Sequence, residues 1–270
     1  GRSLAKEGYE WAVVQPNSFK SALIPLFAGI KKRTGWKGES RYALLNDLRS
    51  NKANFPLMVE RYNALAYPKA HMTDHTKLPK PPWPALTLDP QNQQLALNEL
   101  ALNIDRPILS LCPGAEFGPS KRWPEQHYAA VAQQQIEQGK QVWIFGSAKD
   151  MPVAQAIRDL LPESLQAQCQ LLAGRTSLHQ AIDLMALSSM VVSNDSGLMH
   201  IAAALQRPLV AVYGSTSPQY TPPLAEKVAI VHTDIECRPC FKRECPLGHL
   251  KCLKELYPEK VTQAIASLTK

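Results

Sequence analysis

No run of apolar residues in this 270-residue chain reaches the ~20 needed to cross a bilayer, and the longest, such as Ala22–Ile30, fall far short. The charged-then-apolar pattern of a secretory leader is missing as well, so the expectation is a cytoplasmic protein. Neither Gly-x-Gly-x-x-Gly nor a Walker A sequence occurs, which argues against a dinucleotide or P-loop enzyme. There is no internal repeat and no low-complexity tract. Cysteine is scarce: six thiols are few for a secreted disulfide scaffold of this size. They are also unevenly placed. Cys112 and Cys169 sit in or beside apolar strands and read as buried thiols, whereas Cys237, Cys240, Cys245 and Cys252 crowd into one segment.

What is present is the composition of an ordinary globular protein, 45% hydrophobic and 20% charged. A chain of this length buries roughly 75% of its unfolded surface, so its core needs no staples. Thirty Lys and Arg against 23 Asp and Glu leave a formal charge of +7. That excess suits an anionic partner: a nucleotide, a nucleic acid or an acidic membrane face.

From about residue 105 onward, strand and helix patterns alternate. Strands are expected at Pro107–Cys112, Gln141–Phe145, Gln170–Ala173, Met190–Ser193 and Pro208–Tyr213. Helices are expected at Pro124–Gln138, Met151–Leu161, from the Ser177 cap to Leu187, and at Ser196–Leu205. Short apolar strands separated by helices imply a parallel, doubly wound sheet, whose ligands bind beyond the strands' C-terminal ends. The first hundred residues read differently. Trp11–Val14 is a strand, Phe19–Ala28 a helix, Lys31–Trp36 a basic turn and Phe55–Tyr67 helical, and the proline-rich stretch Pro68–Pro90 reads as a linker. The division expected is 1–90, part of an N-terminal domain plus linker, and 91–270, a C-terminal domain. One strand and one helix cannot close a doubly wound sheet, so the N-terminal domain is expected to be incomplete.

Four clusters carry chemistry. In Val191–His200 an apolar strand gives way to Asn194-Asp195-Ser196-Gly197 and then a helix. Free N–H groups and the positive end of the helix dipole make such a junction an anion site, and His200 follows Ser196 by four residues, on the same side of the first turn. In Gly118–Pro124, Lys121 and Arg122 stand just before a helix opened by proline. Lys121 can reach a phosphate over the sheet edge, or the loop is merely a solvated one with Trp123 packed beneath it. In Phe145–Asp150 the acidic residue can accept hydrogen bonds from a ribose or serve as an ordinary helix cap. Finally, Cys237-x2-Cys240-x4-Cys245-x3-His249-x2-Cys252 places four thiols and an imidazole within sixteen residues. The set suits zinc or an iron–sulfur cluster, though not with the spacing of a two-knuckle ribbon; a reduced, packed loop is the alternative. If metal binds there, structural zinc is expected rather than a catalytic ion.

Taken in order along the chain, the motifs resemble the ADP-heptose:lipopolysaccharide heptosyltransferases of glycosyltransferase family 9. The matching text is Pro16–Ala22, Arg33–Trp36, Leu44–Asp47, Pro113–Gly118, Lys121–Pro124, Leu172–Leu178, Ser193–His200 and Tyr213–Pro218, with the Cys-rich tail following. The resemblance implies a GT-B fold of two Rossmann-like domains, the N-terminal one incomplete here, and an inverting transfer that requires no metal. The activity implied is transfer of L-glycero-D-manno-heptose from ADP-heptose to the first heptose of the lipopolysaccharide inner core. The acceptor would be heptosyl-Kdo-lipid A, met at the cytoplasmic face of the inner membrane by a peripherally associated enzyme, and no nucleic acid is involved. Carried over by motif, Lys121 would contact the diphosphate, Asp150 the ribose and Asp195 the heptose hydroxyls, while Ser196, Gly197 and His200 would surround the phosphates. The family's general base is an Asp in the first loop of the N-terminal domain. No residue of this sequence matches that motif, so the catalytic residue is unassigned and the base is expected in a segment before Gly1. Three other readings compete: a nucleotide-sugar-binding fragment without transfer, a zinc-containing nucleic-acid-binding protein, against which the dispersal of the basic residues argues, and a sugar-nucleotide epimerase on the same fold, which would need no acceptor for turnover.

Overall fold

The computed structural model describes residues 1–269. The chain forms two compact units: Gly1–Pro82 with Gln219–Pro222, and Trp83–Pro218 with the residues from Pro223 on.

The smaller unit holds β1 (Trp11–Val14), α1 (Phe19–Phe27), β2 (Lys32–Trp36), β3 (Asp47–Arg49) and α2 (Met58–Ala64). Its three strands are parallel in the order β1-β2-β3. The expected basic turn is therefore the central strand. Its charge hides the pattern: Lys32 lies outside over the Trp11 ring, and the Arg33 guanidinium is spent on Leu44 O and Ile30 O, while Thr34, Gly35 and Trp36 are buried. A side chain at Gly35 would meet Val14 O and Leu45, so the strands close only over glycine. Trp36, Phe55, Ala64, Leu65, Met72 and Leu78 form the core of this unit. Met72 and Leu78 come from the stretch read as a linker, which also forms a 3-10 turn at His75–Lys77 capped by Asp74. The division falls at Pro82, eight residues earlier than expected (90 against 82), because Leu86 N bonds Ala204 O in the larger unit and Asp89 caps the helix that follows.

The larger unit runs α3 (Pro90–Glu99), β4 (Ile108–Cys112), α4 (Glu125–Glu137), β5 (Gln141–Ile144), α5 (Met151–Asp159), α6 (Glu163–Gln166), β6 (Cys169–Leu171), α7 (Leu178–Met185), β7 (Ser188–Asn194), α8 (Gly197–Ala204), β8 (Leu209–Val212), β9 (Val228–Val231), α9 (Lys251–Lys254) and α10 (Pro258–Leu268). All six strands are parallel, ordered β6-β5-β4-β7-β8-β9, which is the doubly wound 3-2-1-4-5-6 arrangement. Alternation along β4 sorts the core. Leu109 and Leu111 face a cluster with Trp123, Tyr128, Val131 and Ile157, while Ile108 and Cys112 face Leu184, Met185, Met199 and Ala202. Helices thus cover both faces, as a parallel sheet requires.

A candidate anion-binding site at the switch point

Strand order reverses between β4 and β7, and the connections leave them toward opposite sides of the sheet. This opens a crevice above their C-terminal ends. Asn194, the last residue of β7, is the keystone below it: Nδ2 donates to Pro113 O at 2.6 Å, and Oδ1 accepts from Trp123 N at 3.2 Å and Tyr128 Oη at 3.0 Å. One buried amide therefore fixes the ends of two strands and the start of α4, and burial pushes the Tyr128 phenol well above its ordinary pKa.

Asp195 follows. Its Oδ2 accepts from Lys121 Nζ at 2.6 Å and from Thr216 Oγ1 at 2.6 Å, and its N–H bonds Val212 O. Lys121 and Asp195 form an ion pair whose side chains are 14% and 5% exposed, so water screens it little. Lys121 is delivered by the turn Pro119–Lys121 and also lies over the Phe117 ring, which Arg243 approaches as well. An ammonium carries three donors, and the carboxylate uses one.

Ser196 occupies the N-cap of α8 without capping it through its side chain, and Gly197 leaves the entrance open, since a Cβ there would meet nothing within 4 Å. The first N–H groups of α8 thus face the crevice beside Lys121. His200 stands on the surface of the same turn. Desolvation by the protein behind it holds its pKa below the ordinary histidine value against the pull of Asp195, with Lys121 pushing the same way as burial.

The sequence-predicted residues are not all brought together alike. Lys121, Asp195, Ser196, Gly197 and His200 gather at the switch point. Asp150 takes the alternative role weighed for it: its Oδ2 accepts from Ser147 N at 2.9 Å and Ser147 Oγ at 2.8 Å in a capping box, and the carboxylate fills the space a side chain at Gly114 would need. The four clustered cysteines and His249 line one small cavity, but among the described residues no three His, Cys, Asp or Glu side chains stand as a ready ligand set. His249 is turned to backbone duty, its Nδ1 accepting from Lys251 N.

Reading the sequence missed Thr216 and the bracing around it. Ser120 and Ser215 hydroxyls meet at 2.9 Å, Ser215 N bonds Ser120 O, and Arg238 donates to Gly214 O, Thr216 O and Thr233 O. The available signal was Gly214-Ser215-Thr216 directly after an apolar strand, the same strand-to-polar switch that marks Asp195.

The sequence matches glycosyltransferase family 9 (heptosyltransferase) over residues 1–251. This chain belongs to that family. The family-9 chain is 50% identical over 273 residues to lipooligosaccharide heptosyltransferase 2 of Haemophilus influenzae, and 48% identical over 270 residues to lipopolysaccharide heptosyltransferase 2 of Escherichia coli K12. Each comparison covers 99% of this chain and 78% of the relative. Its fold superposes on the solved structure of the E. coli ADP-heptose LPS heptosyltransferase II with a TM-score of 0.87, over 99% of this chain and 78% of that one.

Proposed function

We propose that this family-9 chain binds ADP-heptose at the β4/β7 switch point and serves transfer of the heptose to the lipopolysaccharide inner core, as the names of its relatives indicate for them. The observation that carries the reading is the Lys121–Asp195 pair set beside the uncapped N-terminus of α8. A nucleotide diphosphate sugar needs donors for its phosphates and an acceptor for its sugar hydroxyls within a few ångströms of each other, and this arrangement supplies both. The N–H groups after Ser196 and Gly197, the remaining Lys121 donors and His200 take the diphosphate. Asp195, held by Thr216, accepts from heptose hydroxyls. Asp150, spent on Ser147, positions the turn after β5 near the ribose.

In the transfer, an acceptor hydroxyl attacks the anomeric carbon as the bond to ADP breaks. Charge then builds on the departing diphosphate, where fixed N–H dipoles and Lys121 are already aimed. No metal is required for that stabilisation. The hydroxyl's proton passes to a general base. The acceptor in this reading is heptosyl-Kdo-lipid A at the cytoplasmic face of the inner membrane. No helix among the described residues is long and apolar enough to cross a membrane, and the +7 charge favours peripheral contact with an anionic surface.

Calorimetric titration with ADP-heptose, with a UDP-sugar as control, tests the donor site. Selective binding of the ADP sugar supports it, and equal or absent binding overturns it. Release of ADP on adding acceptor separates transfer from mere donor binding. Affinity for DNA falling steeply with salt would favour the nucleic-acid reading instead.

A further inference from the structure

The six cysteines fall into two kinds. Cys112 and Cys169 lie in the sheet core, where burial pushes both thiols up to about 12, and they behave as small apolar side chains. Cys237, Cys240 and Cys245 are only half-buried, and with Cys252 they line one cavity of about 20 Å³. That volume admits a single atom-sized occupant. The chain from His232 to Leu250 that surrounds it contains neither helix nor strand, and its largest apolar side chains, Phe241 and Leu247, point outward at 52% and 62% exposure. Of the apolar side chains in this segment, Ile235 alone is placed against the core of the larger unit among the described residues.

The backbone around Cys245 is bent tightly about this cavity. The turn Cys245–Gly248 closes through Gly248 N to Cys245 O at 3.0 Å, with Gly248 at a φ of +68° and Leu250 at +51°. That left-handed path folds Leu247, His249 and Leu250 onto the cavity that Cys245 lines. Thiolates, not thiols, ligate metal, and four cysteine side chains around one cavity of this size are the donor set that zinc takes.

We propose that Cys237, Cys240, Cys245 and Cys252 form a tetrathiolate zinc site that ties the Cys-rich segment to the loops holding Lys121 and Thr216. The sulfurs share a cavity without yet meeting at ligand distance. Rotation about Cα–Cβ of these unbranched side chains draws them together as zinc enters and the thiol protons leave to solvent. His249 stays outside the ligand set because its Nδ1 holds Lys251 N. Four soft ligands with no open position make a structural site, not a catalytic one.

Its reach into the anion site is continuous. Between Cys237 and Cys240, Arg238 grips Gly214 O and Thr216 O; just beyond, Phe241 N bonds Ser215 O and Ser120 bonds Lys242 O and Arg243 O. Gly118, at a φ of +148°, passes so close to Arg243 O that a Cβ would stand 2.5 Å from it. The segment thus clamps both loops whose side chains bind Asp195.

Metal analysis of the purified full chain, grown with zinc, tests the site without reference to any activity. About one zinc per chain is expected, with cobalt substitution giving the sulfur-to-cobalt charge-transfer absorption of a thiolate set. Cys245→Ser and Cys252→Ser should each lose most of the metal, while Cys169→Ser keeps it. A metal-free chain with all four thiols open to a thiol reagent overturns the proposal, as does pairing of these cysteines in disulfides; bound iron overturns the assignment of zinc. Where a serine variant does not fold, the metal content and cobalt spectrum of the unmutated chain still decide. The tie to the loops, which rests on the donor reading, is tested separately. Chelating the zinc should weaken ADP-heptose binding by about tenfold, and unchanged affinity in a zinc-stripped chain overturns that tie while leaving the metal site standing.

Discussion

The six-stranded sheet of the larger unit is covered by helices on both faces, whereas the three-stranded sheet of the smaller unit leaves Trp11 and Val13 of its edge strand 42% and 39% exposed. The two are held by different means. The larger one buries two extensive apolar layers, one on each face of its sheet. The smaller one has only short apolar clusters and uses buried guanidinium groups as struts. Arg41, 1% exposed, bonds Pro16 O, Trp36 O, Gly38 O and Asn17 Oδ1, stitching together the ends of β1 and β2. Apolar burial tolerates small losses gradually, while a strut of hydrogen bonds fails when one group is removed.

That contrast is sharpest at Trp123 and Arg41. Trp123 is 1% exposed, stacks edge-on with Tyr128 at 4.9 Å and donates to Leu256 O. Trp123→Ala should cost about 3–5 kcal/mol of larger-unit stability, read by denaturant unfolding; a loss under about 1 kcal/mol would mean the core repacks freely. Arg41→Met leaves Pro16 O and Trp36 O without their donor and should cost about 3 kcal/mol. Its effect should be confined to the smaller unit, so limited proteolysis would cut within residues 1–82 and spare the rest. Equal sensitivity of both units would break the comparison.

The same contrast governs what the sequence revealed. The larger unit was legible because its strands are apolar runs and its helices carry caps such as Ser177, so both patterns point one way. Its late elements, β9 and the helices after it, escaped because Val228–Val231 is short and follows a proline-rich loop. In the smaller unit β2 begins Lys-Arg-Thr-Gly, whose two cations and glycine argue against a central strand. Only tertiary partners, the Leu44 and Ile30 carbonyls and the Trp11 ring, make it one. At the site, Lys121, Asp195, Ser196, Gly197 and His200 were readable from strand-to-helix switches. Asp150 was read as a ribose acceptor or a cap, which look alike in sequence, and its carboxylate does bond Ser147 as a cap. Thr216 and Arg238 were missed because their roles arise from loops brought together only by the sheet.

A smaller effect than either core variant is expected at the site itself. Lys121→Met keeps the stem over Phe117 and removes the charge. It should weaken ADP-heptose binding by about 10–100-fold, with the smaller unit's stability unchanged. Unaltered affinity would remove Lys121 from the phosphate contacts.

The smallest predicted effect concerns pH and again separates the units. Asp47, on β3, is opposed by desolvation, but hydrogen bonds from Arg49 and Thr34 and the charges of Arg49 and Lys32 outweigh it and hold the carboxyl below its ordinary pKa. A carboxyl whose pKa is lowered on folding binds fewer protons in the folded chain than in the unfolded one. Its stabilisation is complete above the unfolded value, about 3.9, and disappears as pH falls through the lower folded value. Acidification below about pH 4 should therefore loosen the smaller unit first, because Asp47 ties Arg49 of one strand to Thr34 of the next. Asp47→Asn should flatten that part of the acid transition and lower stability at neutral pH, where the ion pair with Arg49 is lost. If the acid transition of the smaller unit keeps its slope in Asp47→Asn, the strut between β2 and β3 is not electrostatic, and the contrast with the apolar sheet narrows to Arg41 alone.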